Sequence, residues 1–351
     1  MFPILICRSV WATSLQTKVI VMPVSLRKLI SCLISVITLF ASPSVTHGEN
    51  SQLRIAESDA ELRAWLENMV WYHRYSMAEI EQVTGLDEAQ LRMRLAEFNI
   101  SESSRPPRIA GQLLMLPYPG GRHPRIGFLD GAVEPQRETK LSVFCPWDEH
   151  SYVVMDVPEA IWSNLGLTYL AHTHVRTIWD LQATQLEQQE WQLTEDGSFQ
   201  MQRRLPNGIE FGTTARVMSD HISMTMFLKN GTDQQLSDLR VQNCVMLKGA
   251  AGFDQQTNDN KVFADGYAVV HSTDGSRWII SGWEPIHRTW GNARCPCLHS
   301  DPKFPDCGPG ETQHLHGWLS FYQGTDIEKE LKRIDATNWR QRDLRSDAPD
   351  R

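Results

Sequence analysis

Residues 198–228 read SFQMQRRLPNGIEFGTTARVMSDHISMTMFL, three strand-like runs separated by two turns. The turns are Pro206-Asn-Gly208 and Ser219-Asp220. An Asn-Gly pair between two extended runs is typical of a β-hairpin. In the last run the apolar residues alternate with polar ones, at Ile222, Met224, Met226 and Leu228. Because side chains alternate between the faces of a strand, this stretch predicts consecutive antiparallel strands with one buried face.

The same pattern continues on both sides of this stretch. Glu195-Asp-Gly197 and Thr273-Asp-Gly-Ser276 give further hairpin turns, and strand-like runs continue as far as Trp318–Tyr322. Short strands with turns every ~8–12 residues are typical of an antiparallel sandwich or barrel, not of a parallel α/β sheet. We therefore predict a mainly β fold, an antiparallel β-sandwich over residues 111–325.

Residues 58–100 have a helical period instead. Ser58-Asp-Ala-Glu61 and Ser76-Met-Ala-Glu79 match the capping box, and Asp87-Glu-Ala-Gln90 opens a third helix. The segment Met77 to Ala96 resembles a helix-turn-helix. Within residues 58–100, however, eight acidic residues outnumber four basic ones, which opposes binding to nucleic acid and favours a role in docking a protein partner.

These patterns divide the chain. We predict a small three-helix module at 49–100, a linker rich in Ser and Pro at 101–110, and a C-terminal helix with a polar tail at 326–351. The first 48 residues contain no Asp or Glu, and the basic pair Arg27-Lys28 precedes an apolar run. This order predicts a secretory signal peptide at 1–48 and a secreted or periplasmic protein.

The apolar run of the leader is shorter than the ~20 residues of a spanning helix, so we expect no membrane span after cleavage. Removing the four basic residues of the leader takes the net charge from −8 to −12. An acidic exported protein is a poor candidate for nucleic-acid binding.

The arrangement resembles the galactose-mutarotase-like β-sandwich, or supersandwich, of sugar-processing proteins. Its residues here are Leu205-Pro-Asn-Gly-Ile209, the strand ending at Phe227–Asp233, Leu239–Cys244, and Pro309–Thr312 with Gly317–Tyr322. The resemblance implies a sugar-related fold. That family places a catalytic His in a strand that reads Gln242-Asn-Cys-Val-Met246 in this chain, so the resemblance does not extend to the mutarotase reaction.

Three residues are candidate catalytic groups, namely His172, His174 and Glu284. On a strand, His172 and His174 would project from one face, where two imidazoles suit general acid–base chemistry or a metal pair. The alternative is a solvated strand face. Glycosidic chemistry needs carboxylates, for which we select Glu284, with Glu138 as a second and Asp180 close to the histidines in sequence.

Candidate substrate-binding residues surround Glu284 and occupy two Arg-rich segments. Trp283 and Trp290 offer flat faces for stacking on a sugar, beside His287 and Arg288. Arginine makes bidentate contacts with carboxylates and sulfates, so a second group of residues is predicted to hold an anionic sugar, namely Arg125 and Arg137. The alternatives are core tryptophans and surface ion pairs.

Five cysteines follow the leader: Cys145, Cys244, Cys295, Cys297 and Cys307. We predict a disulfide from Cys307 to Cys295 or Cys297, with Cys145 and Cys244 as a second candidate pair on neighbouring strands. The alternative is a metal site made of Cys295, Cys297, His299 and Cys307.

The predicted function is that of a secreted carbohydrate-active protein, with lyase, hydrolase and epimerase reactions all open. Two alternatives stay open: a non-catalytic sugar-binding or cell-envelope interaction protein, and a secreted metal-binding protein. The sequence requires no cofactor, since it has no phosphate loop, dinucleotide fingerprint or Gly-x-Ser-x-Gly motif.

Overall fold

The structure is a computed structural model that describes residue 53 and residues 55–126, 137–172 and 174–341. The predicted signal peptide at 1–48 and residues 342–351 of the predicted tail lie outside the described residues. No helix within the described ranges is long and apolar enough to cross a membrane. The domain bounds given above stay predictions.

The three predicted helices of the N-terminal module are present. They are α1 (Asp59–Glu67), α2 (Met77–Thr84) and α3 (Glu88–Glu97), with a π-helical turn at Asn68–Tyr72 after α1. Ser58, Ser76 and Asp87 each accept a hydrogen bond from the backbone N–H three residues later, as the capping pattern predicts. The helices pack around a shared apolar core that contains Leu66, Ile80 and Leu91.

Two antiparallel sheets form the rest of the fold and confirm the predicted β class. The seven-stranded sheet contains β1 (Leu114–Pro117), β2 (Lys140–Phe144), β3 (Tyr152–Ser163), β4 (Gly166–Leu170), β9 (Val241–Met246), β13 (Ile286–Asn292) and β14 (Cys297–Pro302). The eight-stranded sheet contains β5 (Gln192–Leu193), β6 (Phe199–Arg204), β7 (Glu210–Val217), β8 (His221–Lys229), β10 (Lys261–Ala264), β11 (Tyr267–His271), β12 (Arg277–Glu284) and β15 (Thr312–Gln323).

The strand order interleaves distant parts of the chain. The first sheet runs β1-β2-β3-β9-β14-β13, with β4 beside β3, and the second runs β10-β11-β12-β15-β8-β7-β6-β5. The predicted hairpins of residues 198–228 are β6-β7 and β7-β8 in this order. The last long strand, β15, lies between β12 and β8.

The inner faces of the two sheets form the main core. On β3, Val153, Met155 and Val157 belong to this core, whereas Tyr152 and Val154 belong to a separate cluster on the outer face. This alternation follows from the two-residue period of a strand.

Both outer faces are partly covered by helical segments. On the seven-stranded sheet, a hydrogen bond of 2.8 Å joins Nε2 of His73, in the helical module, to Oγ of Ser142 on β2. On the eight-stranded sheet, α5 (Ile327–Asp335) and the following 3₁₀ turn (Trp339–Gln341) pack on Tyr267 and Trp318. Two short elements complete the fold, α4 (Ile178–Leu181) and a 3₁₀ turn at Glu102–Ser104.

Candidate active site

Five ionisable side chains meet on the outer face of the seven-stranded sheet, and each is at most 5% exposed. We call them the ionic cluster: Arg125, Lys140, Asp156, Glu159 and His172. Charged side chains are rarely buried to this degree unless they are paired, and clusters of this kind are frequent at functional sites.

The sheet register positions the acidic members of the ionic cluster. Lys140 on β2 lies opposite Asp156 on β3, and its Nζ is 3.0 Å from Asp156 Oδ2. Strict alternation would place Asp156 and Glu159 on opposite faces of β3. A register shift in the β3–β9 pairing lies between Asp156 and Ala160, and this irregularity lets Glu159 share the face of Asp156.

His172 lies at the centre of the ionic cluster, just after β4. Its Nε2 is 2.8 Å from Arg125 Nη2, 3.2 Å from Asp156 Oδ2 and 3.5 Å from Glu159 Oε1. Because an arginine only donates hydrogen bonds, the contact with Arg125 assigns the lone pair to His172 Nε2 and the ring proton to Nδ1, which is buried without a hydrogen-bond partner. The folded protein therefore holds a neutral imidazole between a cation and two carboxylates.

The electrostatics follow from burial and pairing. Burial and the Lys140 ammonium lower the pKa of His172 to about 4. Burial alone would raise the pKa of Asp156, but the Lys140 ammonium outweighs it and holds that pKa below its ordinary value. Burial also opposes ionisation of Glu159, yet the Arg125 charge holds its pKa below the ordinary range. Both carboxyls are ionised at neutral pH.

Further polar contacts extend from Glu159 towards β13. Gln242 Nε2 donates to Glu159 Oε2 at 3.0 Å. On the same face, Asp301 of β14 accepts from Arg288 Nε at 2.8 Å and from Trp290 Nε1 at 2.7 Å. Arg288 and Trp290 are predicted binding residues, and the structure places them at the edge of the sheet face that carries the ionic cluster.

The arrangement is suited to acid–base chemistry. A neutral His can take a proton, and carboxylates beside it can orient the imidazole or stabilise the imidazolium that forms. Arg125 supplies a fixed positive charge next to the same nitrogen.

The structure separates other predicted site residues. The predicted strand for His172 and His174 is wrong, because β4 ends at Leu170 and His174 is exposed. The two rings are nevertheless neighbours, with centroids 6.1 Å apart. Asp180 caps α4 by accepting from Thr177, and so serves the helix rather than the histidines.

The predicted cluster around Glu284 is divided between two sheets. Glu284 ends β12 and its Oε2 is 3.5 Å from Arg340 Nε. Trp283 is 2% exposed and lies in the core between the sheets. Trp290 belongs to β13 of the other sheet, as does His287, which is exposed. The two tryptophans therefore do not flank one pocket, since strand alternation and sheet membership send them to different surroundings.

Arg137 and Glu138 take part in separate buried contacts. Arg137 donates to the Pro119 carbonyl at 3.2 Å, and its guanidinium lies 4.9 Å from the centre of the Trp65 ring. Glu138 accepts from Arg203 Nη2 at 2.6 Å. Of the predicted catalytic and binding residues, only Arg125 and His172 belong to the ionic cluster.

The structure forms none of the predicted disulfides: all five described cysteines are free and buried. Cys145 and Cys307 belong to the core between the sheets, whereas Cys244, Cys295 and Cys297 belong to the outer-face cluster. The sheet itself separates the two groups. The alternative metal set loses Cys307 for the same reason, since Cys307 Sγ instead contacts the Glu311 carbonyl at 3.3 Å.

Sequence reasoning missed Lys140, Asp156 and Glu159. A signal for the two carboxylates was present, because both interrupt an almost continuous apolar run, residues 152–162, instead of alternating with it. A charge inside such a run indicates a buried, paired side chain. Lys140 carried no comparable signal, since its partner is known only from the sheet register.

A groove of about 830 Å³ lies away from the ionic cluster. Its polar lining includes Asn207, Thr232, Asp233 and Gln234, and its apolar lining includes Trp179. None of its lining residues belongs to the ionic cluster, so the groove and the cluster are separate candidate sites.

No protein-family model and no curated protein matches the chain. Three of the solved structures similar to it are named as a kojibiose phosphorylase, a polysaccharide lyase and an aldose 1-epimerase. A protein assigned as a kojibiose phosphorylase, from the human microbiome, has a TM-score of 0.36 and 6% identity over 56% of this chain and 27% of that chain. A polysaccharide lyase has a TM-score of 0.28 and 12% identity over 40% of this chain and 24% of that chain.

A protein assigned as an aldose 1-epimerase, from Klebsiella pneumoniae, has a TM-score of 0.27 and 7% identity over 58% of this chain and 59% of that chain. The chain thus spans about a quarter of the length of the first two, 27% and 24%. At these TM-scores the likenesses carry no argument about activity. The comparisons give no support to a relationship with helix-turn-helix proteins.

Proposed function

We propose that the protein is carbohydrate-active and that the ionic cluster supplies its acid–base groups. The observation that carries the proposal is the position of His172 Nε2, within 3.5 Å of Arg125, Asp156 and Glu159. The resemblance of the sequence to sugar-processing sandwiches supports the choice of substrate class.

In this proposal His172 is the base, because it is neutral at physiological pH and its lone pair already accepts from Arg125. A sugar hydroxyl, or a C–H next to a carbonyl, would replace that contact and lose its proton to Nε2. Asp156 and Glu159 stabilise the resulting imidazolium, and Arg125, released from Nε2, faces the negative charge that develops on the sugar. Since the cluster is buried, substrate entry requires Arg125 to exchange its contacts.

A second candidate is non-catalytic sugar binding in the groove beside Trp179. Its amide, hydroxyl and carboxylate groups match the hydrogen-bonding needs of sugar hydroxyls, and the groove is open where the ionic cluster is buried. This candidate assigns binding to Asp233 and Gln234 and leaves the ionic cluster with a structural role.

A glycan panel tests both candidates when binding and turnover are measured on the same variants. We expect His172→Gln to abolish turnover while sugar binding is kept. His221→Gln is the matched control, since His221 is a buried histidine that stacks on Trp318 of the other sheet. Turnover that survives His172→Gln contradicts the first candidate. If the protein binds a sugar without turning it over, and Asp233→Asn loses that binding, the result supports the second candidate.

We also propose that the protein is exported and that cleavage follows Gly48. The acid-free leader with its basic pair and apolar run supports this. Mass spectrometry of the exported protein should find Glu49 at the N-terminus. A cell-associated product that retains residues 29–40 contradicts export.

A further inference from the structure

Two thiols and one imidazole converge on the outer face of the seven-stranded sheet. The ligand atoms of Cys244, Cys297 and His299 all lie within 4.8 Å of one another, and we call these residues the thiol–imidazole cluster. All three are at most 3% exposed. Free thiols and an imidazole at this spacing are the ligand types that Zn²⁺ prefers.

The sheet register dictates this convergence. Cys297 and His299 are two residues apart on β14, so they project from the same face. Cys297 lies opposite Met246 of β9, and Leu298 lies opposite Val245. The next position along this antiparallel pairing sets His299 against Cys244. The cluster is therefore built from two adjacent strands, which gives it the rigidity that a metal site requires.

The two ring nitrogens of His299 have different surroundings. Nε2 is 3.2 Å from Cys297 Sγ, on the side of the thiols. Nδ1 is buried without a hydrogen-bond partner, and it faces Asp301 Oδ1 at 3.8 Å and Glu159 Oε2 at 4.0 Å. Metal-binding histidines commonly turn the second ring N–H towards a carboxylate, as His299 does here.

The ring of His299 is also held in orientation. Trp290 stacks on it with the centroids 3.9 Å apart and the planes 12° apart. The Trp290 indole N–H is in turn bound by Asp301, at 2.7 Å. An imidazole whose face is held by a stacked ring loses little conformational freedom when it binds an ion.

Cys295 is the candidate for a fourth ligand. It is 2% exposed, lies two residues before Cys297 and belongs to the same outer-face cluster as Cys244 and Cys297. The guanidinium of Arg125 lies close enough to Cys244 and Cys295 to interact with their charge, so it offsets the negative charge that thiolates bring.

We propose that the protein binds Zn²⁺ through Cys244, Cys297, His299 and Cys295, in a closed site that stabilises the fold. Bond lengths of about 2.3 Å to sulfur and about 2.0–2.1 Å to nitrogen fit the spacing of Cys244, Cys297 and His299 after small movements of the thiols, and Cys295 would have to move towards them to supply the fourth ligand. The thiols release their protons to solvent as the ion binds. This site differs from the predicted metal set, because Cys244 replaces Cys307, and it does not depend on the proposed sugar chemistry.

The test uses the full chain, purified without an affinity tag that binds metal. We expect one zinc per chain by elemental analysis, and thiolate-to-metal charge-transfer absorption after exchange with Co²⁺. Serine in place of Cys244 or Cys297 should weaken Zn²⁺ binding at least about tenfold, and Cys295→Ser should weaken it too.

Cys145→Ser and Cys307→Ser are matched controls, since both residues are buried free thiols on the other side of the sheet. Equal loss of zinc in these controls overturns the proposal. If a variant fails to fold, the unmodified protein still tests the proposal. A Co²⁺ titration of that protein that gives no thiolate charge-transfer band overturns the proposed zinc site.

Discussion

Arg125 and Glu159 form an ion pair in which the two side chains are only 6% and 3% exposed. Removing one partner of such a pair leaves the other charged and desolvated, which costs far more than the pair itself contributes. The stability of this sheet face therefore depends on the presence of both residues.

We expect Arg125→Ala to lower the free energy of unfolding by about 3–5 kcal/mol, because Glu159 then remains buried without its cation. Denaturant titration measures the change. Arg63→Ala is the control, since Arg63 pairs with Glu67 on the surface with 53% and 28% exposure, and its loss should cost less than about 1 kcal/mol. Equal effects of the two variants would contradict the structural importance of the buried pair.

Stability should fall in mild acid because His172 is neutral in the folded protein. Its folded pKa of about 4 lies below the unfolded value of 6.5, so the unfolded chain binds a proton first. The stability contribution is complete above about pH 6.5 and is lost as the pH falls towards 4, by about 3 kcal/mol for this residue. Unfolding titrations across this range measure the slope.

His172→Gln should flatten that slope. Part of the slope will persist in His172→Gln, because burial lowers the pKa of His73 as well, to about 3. Identical slopes in the unmodified protein and His172→Gln would mean that His172 is not neutral in the folded state.

Trp283 and Trp290 should respond differently to truncation. Trp283→Ala removes a large core side chain that packs against Gly317, and we expect a loss of about 3–5 kcal/mol. Trp290→Ala removes a stacked ring and one hydrogen bond at a half-exposed position, for about 1–2 kcal/mol. Thermal unfolding of both variants would test this order, and a larger loss for Trp290 would reverse the assignment of Trp283 to the core.

His73 joins the helical module to the sheet. Its ring bonds Asn68 Oδ1 and Ser142 Oγ, each at 2.8 Å. His73→Ala should cost about 2–3 kcal/mol, since it leaves buried Ser142 without this partner. It should also speed proteolysis within the module. Met93→Ala, at a side chain that is 62% exposed, should change stability by less than about 0.5 kcal/mol. Unchanged proteolysis in His73→Ala would argue against this contact as the anchor.

Local patterns predicted the elements well, and the site poorly. Helix caps and tight turns depend on contacts within a few residues along the chain, so the local sequence predicts them. Examples are the caps at Ser76 and Asp87 and the Asn-Gly turn at 207–208. Asp156 and Glu159 share a face only because the β3–β9 register shifts between them. That shift depends on the pairing of two strands that lie far apart in the sequence, so no short stretch of sequence predicts it.

The cysteines show the same limit. Cys244 on β9 and Cys297 on β14 face the side of the sheet that their positions in the strands dictate. Cys244 and Cys297 come together because β9 lies beside β14. Proximity in sequence instead favoured Cys307, which the sheet separates from Cys297.

The central position of β15 bears on the order in which the chain can fold during synthesis. Until residues 312–323 are made, β10-β11-β12 and β8-β7-β6-β5 have no strand to join them. Each part would expose an unpaired edge, which is the kind of surface that leads to aggregation. Because synthesis proceeds from the N-terminus, the nascent chain must keep two half-sheets apart from other chains until β15, the last strand of the fold, is made. A ribosomal stall before Thr312 would therefore yield an aggregating product, not a smaller folded protein.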